Sequence, residues 1–151
     1  ALAELAEAVG VPILAHVAGV ETLTGAAEGG IGHAALSSLL RLAGADAVLT
    51  STPHAPRPLS GGAYRATLDA LAAVGGDGDV RPAMPMVGGG LTADHVGPIV
   101  EAAGLDVIVA AGGAIQGHPD GAAAGGRAFQ AALAAAAERW HTTRAAPGPK
   151  R

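Results

Sequence analysis

Short runs of β-branched and apolar residues alternate with segments whose leucines and alanines recur at three- and four-residue spacing. That alternation predicts a parallel α/β sheet. Residues 1–9 read as the end of a helix, with Leu2 and Leu5 on one face and Gly10 as its stop. Val11-Pro-Ile-Leu-Ala-His16 predicts a short buried strand, its Pro12 tolerated because it sits at the start. A polar, glycine-bearing connection follows through Glu21, Thr22, Thr24 and Glu28. Leucines 36, 39 and 40 then place a helix over residues 32–43, closed by Gly44. Asp46 to Thr50 is the second strand. The proline-rich loop from Ser51 to Gly62 is long beside the usual connection of about 2–6 residues. Leu68, Leu71 and Val74 mark a helix over residues 64–74, and Gly75 to Asp79 a flexible turn. Ala83 to Val87 is the third strand. A helix opened by Thr92 runs to about Ala103, kinked or shortened by Pro98. Asp106 to Ala110 is the fourth strand, residues 122–140 the last helix, and residues 141–151 a basic, mobile tail.

Two junctions echo each other, Ala43-Gly-Ala-Asp-Ala-Val-Leu49 and Ala103-Gly-Leu-Asp-Val-Ile-Val109. Each ends a helix at glycine and enters a strand two residues later, the grammar of repeated βα units. Four such units predict half of a (β/α)8 barrel, occupying residues 1–140. Half of the 151 residues are apolar but only 2% are aromatic, so the core must be packed from Ala, Val, Leu and Ile. The chain starts inside a helix pattern without Met, and upstream sequence is therefore expected.

The third and fourth strands both run into glycines, in Met84-Pro-Met-Val-Gly-Gly-Gly90 and Val107-Ile-Val-Ala-Ala-Gly-Gly113. Glycine permits close backbone approach, and N–H groups at such turns bind anions. Neighbouring parallel strands would put both sets of donors on one rim. A net charge of −4, with no basic stripe interleaved with aromatics, argues against nucleic acid. The absence of cysteine excludes disulfides and thiolate metal sites and makes a cytoplasmic setting the default. No apolar run reaches the roughly 18 residues of a membrane span.

Leu40-Arg-Leu-Ala-Gly-Ala-Asp46, Met84-Pro-Met-Val-Gly-Gly-Gly90 and Gly112-Gly-Ala-Ile-Gln-Gly-His-Pro-Asp-Gly121, in this order and spacing, carry a resemblance. Over residues 9–140 the chain resembles the C-terminal barrel half of the ribulose-bisphosphate carboxylase (RuBisCO) large chain, more closely the RuBisCO-like (form IV) proteins. The resemblance implies that Gly89, Gly90, Gly112 and Gly113 grip one phosphate of a sugar phosphate through their N–H groups. It also implies Mg2+ in the complete enzyme. The family's Lys-x-Asp-Glu metal strand lies upstream, however, so no metal ligand is expected within these residues.

The departures from the carboxylases matter as much. Their His-Arg pair is His16-Val17 here, their strand histidine is Leu49, and their serine before the paired glycines is Gly88. The mobile-loop lysine has no counterpart in register; Arg57 lies one position off and could still bind phosphate. CO2 fixation is therefore not expected. Expected instead is enolisation, isomerisation or decarboxylation/transcarboxylation of a phosphorylated substrate, Mg2+-assisted in the complete chain, with the 151-residue segment inactive alone.

His16, where a strand meets the barrel's open face, is the best candidate general acid/base; a hydrogen-bonded strand-end histidine is the alternative. His118 reads as a loop brace, His33 and His95 as capping or solvated groups, and His54 as a further candidate for substrate contact. A second reading is a non-catalytic half-barrel that binds sugar phosphates. Two open sheet edges favour association, so the expected partners are the missing N-terminal half or a second copy, in a homo-oligomer.

Overall fold

A computed structural model of the chain describes residues 2–17, 30–56, 58–74 and 80–145. The polar connection through Glu21 to Glu28, Arg57, the turn at 75–79 and the end of the tail from residue 146 lie outside the described residues. The elements alternate as expected: α1 (Leu2–Ala8), β1 (Leu14–Ala15), α2 (His33–Leu42), β2 (Ala47–Thr50), α3 (Gly61–Ala72), β3 (Met84–Gly88), a 3-10 turn (Ala93–His95), α4 (Val96–Ala103), β4 (Ile108–Ala110), α5 (Gly112–Gln116) and α6 (Ala122–Ala145). The four strands form one parallel sheet in the order β1-β2-β3-β4. This is half of an eight-stranded α/β barrel.

Register shows how the sheet divides its two faces. Leu14, Ala47 and Met84 form one row and Leu49, Met86 and Ile108 the next, all on the same side because strand side chains alternate. The opposite side carries Ala15, Val48, Thr50 and Val87, and the helices pack there. Val48 and Leu71 centre one cluster, and Tyr64, Leu68, Val87, Leu91 and Ile99 a second. A third joins Val96, Val100, Phe129 and Ala136. Val48 and Val87 are 0% exposed, whereas Leu14, Met84 and Ile108 are 46%, 40% and 38% exposed. The inner face is thus apolar and uncovered by any described element.

The structure corrects or refines several expectations. The first strand spans only Leu14–Ala15 instead of residues 11–16, and Leu14 is not buried. It is an edge strand whose inner side faces no described element. What holds it is Asp46: its Oδ2 accepts from the Ile13 N–H at 2.8 Å, while the Ile13 carbonyl accepts from the N–H groups of Asp46 and Ala47. The helix after Thr92 is shortened, one of the two outcomes expected of Pro98, and is not kinked. A 3-10 turn starts it, and Pro98 falls in the first turn of α4, where N–H groups have no intrahelical acceptor to lose. The basic tail does not begin at His141, because α6 continues to Ala145. Its last turn is braced by Arg144 stacked 3.8 Å over the Trp140 ring and by Thr142 Oγ1 donating to the Glu138 carbonyl. Between β4 and the last helix a short helix, α5, forms at Gly112.

One core group carries its own prediction. Tyr64 is 4% exposed, and its hydroxyl has no hydrogen-bond partner among the described residues. Burial raises its pKa above 10.0, only partly countered by the Arg65 charge. A raised folded-state pKa means that stability is intact below pH 10 and falls as pH climbs past it. Tyr64→Phe should therefore raise stability by about 1 kcal/mol at neutral pH, by removing an unsatisfied buried hydroxyl. It should also flatten the loss of stability above pH 10. Melting curves at pH 7 and pH 10.5 check this, and a destabilised Phe variant would reveal a hydrogen bond made by Tyr64.

Candidate active site

Because all four strands are parallel, their C-terminal ends share one rim, the side on which barrel enzymes place their chemistry. At that rim β3 passes into Gly89 and Gly90, whose φ angles of 85° and 68° are left-handed. Side-chain-bearing residues rarely adopt this conformation, so glycine lets the chain reverse immediately after the strand. The neighbouring strand β4 ends at Ala110, and α5 starts two residues later at Gly112. The N–H groups of Gly112 and Gly113 are thus the first of a helix and have no acceptor within it.

The two reversals meet. Gly89, Gly90, Leu91 and Ala110 to Ala114 line one cleft of about 190 Å³. None of the N–H groups of Gly89, Gly90, Gly112 or Gly113 donates in the turn and loop hydrogen bonds among the described residues. A Cβ added at Gly89, Gly112 or Gly113 would meet nothing within 4 Å, so the glycines open onto free space. Larger clefts lie elsewhere. One of about 480 Å³ runs past Asp46, Met84 and Asp106 at the opposite, N-terminal ends of the strands, and one of about 510 Å³ lies on the outer surface between α4 and α6. Their size does not place them at the rim where the turns converge.

Supporting contacts fix the cleft. Pro56, from the long loop after β2, packs on Gly90, where a Cβ would stand 3.1 Å from its Cδ. His54, two residues earlier, stacks on His95 with ring centroids 4.8 Å apart and planes 11° from parallel. His95 Nδ1 in turn accepts from the Thr92 N–H at 3.1 Å, forming a capping box. The fourth-strand turn is held by α6, whose Gly125 lies against the α5 backbone: a Cβ there would be 2.5 Å from the Ile115 carbonyl oxygen. His118 Nδ1 accepts from the Asp120 N–H at 3.1 Å within the loop between α5 and α6.

His16 follows β1 directly and is exposed. Continuing the register places it level with Leu49, Met86 and Ile108 on the inner face. At a strand spacing of about 4.8 Å, it lies roughly 10 Å laterally from β3 and 14 Å from β4. The rim therefore gathers the four glycines and sets His16 apart from them. Gly88 has room for a larger residue, since a Cβ would make ordinary contacts of 3.4 Å with Ala110 Cβ and 3.5 Å with Leu49 Cδ1.

Sequence reasoning missed the His54–His95 stack, the Pro56 contact and Gly125. Only the last had a signal: a glycine inside an alanine-rich helix costs about 1 kcal/mol against alanine and so points to a close approach. No group of three His, Cys, Asp or Glu side chains that could hold a metal ion occurs among the described residues. No described helix is long and apolar enough to cross a membrane.

Comparison with known proteins matches this geometry. The family model "Ribulose bisphosphate carboxylase large chain, catalytic domain" matches residues 1–148. The 2,3-diketo-5-methylthiopentyl-1-phosphate enolase of Geobacillus kaustophilus is 41% identical over 135 residues, covering 84% of this chain and 30% of that protein. The octameric RuBisCO of Pyrococcus horikoshii superposes with a TM-score of 0.81 at 30% identity, over 91% of this chain and 33% of that one. A rubisco-like protein of Alicyclobacillus acidocaldarius superposes with a TM-score of 0.73 at 34% identity, over 92% of this chain and 35% of the other. The chain spans about a third of the length of these relatives. The rim, the sheet order and the matched residues converge on one conclusion: this chain belongs to the ribulose-bisphosphate carboxylase large-chain catalytic-domain family.

Proposed function

We propose that the chain forms the phosphate-gripping half of a RuBisCO-like enzyme that moves a proton beside the carbonyl of a phosphorylated, sugar-like substrate. The observation that carries this reading is the single cleft lined by both glycine turns, whose N–H groups donate in no turn or loop hydrogen bond among the described residues. Those donors, aimed from two chain segments, suit the several oxygens of one phosphate. Arg57 is a further candidate phosphate ligand from the long loop. His118 braces the loop between α5 and α6.

His16 is the proposed general acid/base. It is the only polar residue in the inner-face row it shares with Leu49, Met86 and Ile108, and a proton-transfer group must reach the substrate directly. That apolar row, with Val17 following His16, supports enolisation, isomerisation or decarboxylation/transcarboxylation over CO2 fixation. The name of the Geobacillus relative, an enolase of a phosphorylated diketone, supports the substrate class. Mg2+ in the complete enzyme would need ligands from outside the described residues. The segment alone is expected to bind phosphate without turning over.

Titrating the chain with inorganic phosphate while following amide resonances tests the cradle. The amides of Gly89, Gly90, Gly112 and Gly113 should shift together and saturate. Shifts that scatter over the surface, or that spare either turn, would remove the basis for this function.

A further inference from the structure

Gly89 and Gly90 both sit at positive φ, and adjacent glycines leave a turn more backbone freedom than any other pair of residues. Strand β3 fixes the chain before them, and buried Leu91 fixes it after them. What remains free is the tilt of the peptide planes in between, which sets where their N–H groups point. Ordering those planes only when an anion arrives would cost affinity, so a working cradle needs them held beforehand.

The loop after β2 supplies that hold at two points. Pro56 lies against Gly90, where an added Cβ would stand 3.1 Å from Pro56 Cδ and 3.2 Å from its Cγ. His54 stacks on His95, at the start of the helical segment that the turn leads into. Because the two contacts fall at separate places on both segments, together they oppose rotation about either one. We propose that His54 and His95 are positioning residues: their stack locks the loop after β2 onto the Gly89–Gly90 turn and so orients the β3 half of the anion cradle. The consequence for phosphate rests on the function proposed above; the hold on the turn does not.

Each ring is itself fixed from behind. The His54 N–H donates to Oγ1 of Thr52 at 3.0 Å, and Thr52 is fully buried. The Thr52 carbonyl accepts from the N–H groups of Ala55 and Leu59, at 3.2 Å each, closing the loop on its own root. Pro53 and Pro56, on either side of His54, restrict φ further. On the opposite segment, Nδ1 of His95 accepts from the Thr92 N–H at 3.1 Å. That bond needs a bare lone pair on Nδ1, so the ring proton sits on Nε2 and the cap sets the ring plane. The usual acceptor in a capping box is Glu or Gln, and neither offers an aromatic face. Histidine performs both tasks, its nitrogen capping the 3-10 turn and its face receiving the loop. Every partner in this set of contacts is a described residue.

A stacked aromatic pair changes an equilibrium by about 2- to 12-fold. Removing one ring with His54→Ala should undock the loop by that factor. In the ligand-free chain, the ring-current shift of the His95 ring protons should vanish and the amide resonances of Gly90 and Thr92 should move. Affinity for inorganic phosphate should fall about 2- to 12-fold, with the weakened response concentrated at Gly89 and Gly90. His54→Phe, which restores a flat ring without its nitrogens, should recover both the resonances and the affinity. His95→Gln keeps the capping acceptor but loses the face, and should match His54→Ala. The double variant should lose no more than either single one, since both remove the same contact.

Wild-type resonances and affinity in His54→Ala would show that the stack positions nothing. Failure of His54→Phe to recover affinity would put His54 on the anion itself and overturn the positioning role. Equal losses at Gly112 and Gly113, with a lower melting temperature, would reduce the stack to a general stabiliser and overturn it as well. A wild-type chain that binds no phosphate would instead strike the proposed function. The ligand-free resonances of Gly90 and Thr92 would then still decide whether the stack holds the turn.

Discussion

Replacing Gly125 by alanine is expected to cost about 1–3 kcal/mol and to loosen the glycine turn after β4 along with the fold. The new methyl would stand 2.5 Å from the Ile115 carbonyl oxygen, 2.8 Å from its Cα and 3.0 Å from its carbonyl carbon. These are backbone atoms, so no side chain can rotate away, and α5 and α6 must separate. Alanine's better helix propensity offsets up to about 1 kcal/mol, which is why the net loss stays moderate. At this chain length each kcal/mol moves the melting temperature by roughly 2–4 °C. A drop of several degrees is expected, together with weaker phosphate shifts at Gly112 and Gly113. Gly126→Ala is the matched control, since a Cβ there meets nothing within 4 Å and the helix gains propensity. Equal melting temperatures for the two variants would show that the close crossing does not constrain the fold.

Gly113→Asp should do the reverse, abolishing anion binding while leaving stability nearly unchanged. The added Cβ meets nothing within 4 Å, and Gly113 is not among the positive-φ glycines, so the backbone accepts a side chain. A carboxylate in the first turn of a helix is, if anything, mildly favourable. Placed in the cleft, however, it sets like charge against a phosphate, which costs several kcal/mol. Affinity for inorganic phosphate should fall at least about 100-fold, equivalent to roughly 2.7 kcal/mol. Binding that survives with the carboxylate in place would locate the anion elsewhere. Together the two glycines separate roles: one is needed by the packing, the other only by the ligand.

Much of the architecture was legible from residue order. Glycine stops, short apolar runs and helical leucine spacing are local signals, and they located every described strand within a few residues. What they could not resolve were ends decided by neighbours. β1 is short because no described element covers its inner side, and Asp46 and Ala47 clamp only its start. Pro98 fits α4 because the helix opens only two residues earlier. The last helix outruns its expected end because Trp140 and Arg144 stack one turn apart.

For the site, sequence alone determined which residues could act: two glycine-ended strands, one histidine at a strand end, and a loop carrying His54 and Arg57. Those are consequences of residue type, since only glycine tolerates the left-handed turns and opens its amides to a ligand. Tertiary structure decided which of them meet. Parallel pairing of β3 with β4 merged the two turns into one cleft, and the lateral spacing of strands left His16 at the far edge of the same rim. Pairing partners and register arise from contacts between segments distant along the chain, and no local pattern encodes the distance between a first strand and a fourth.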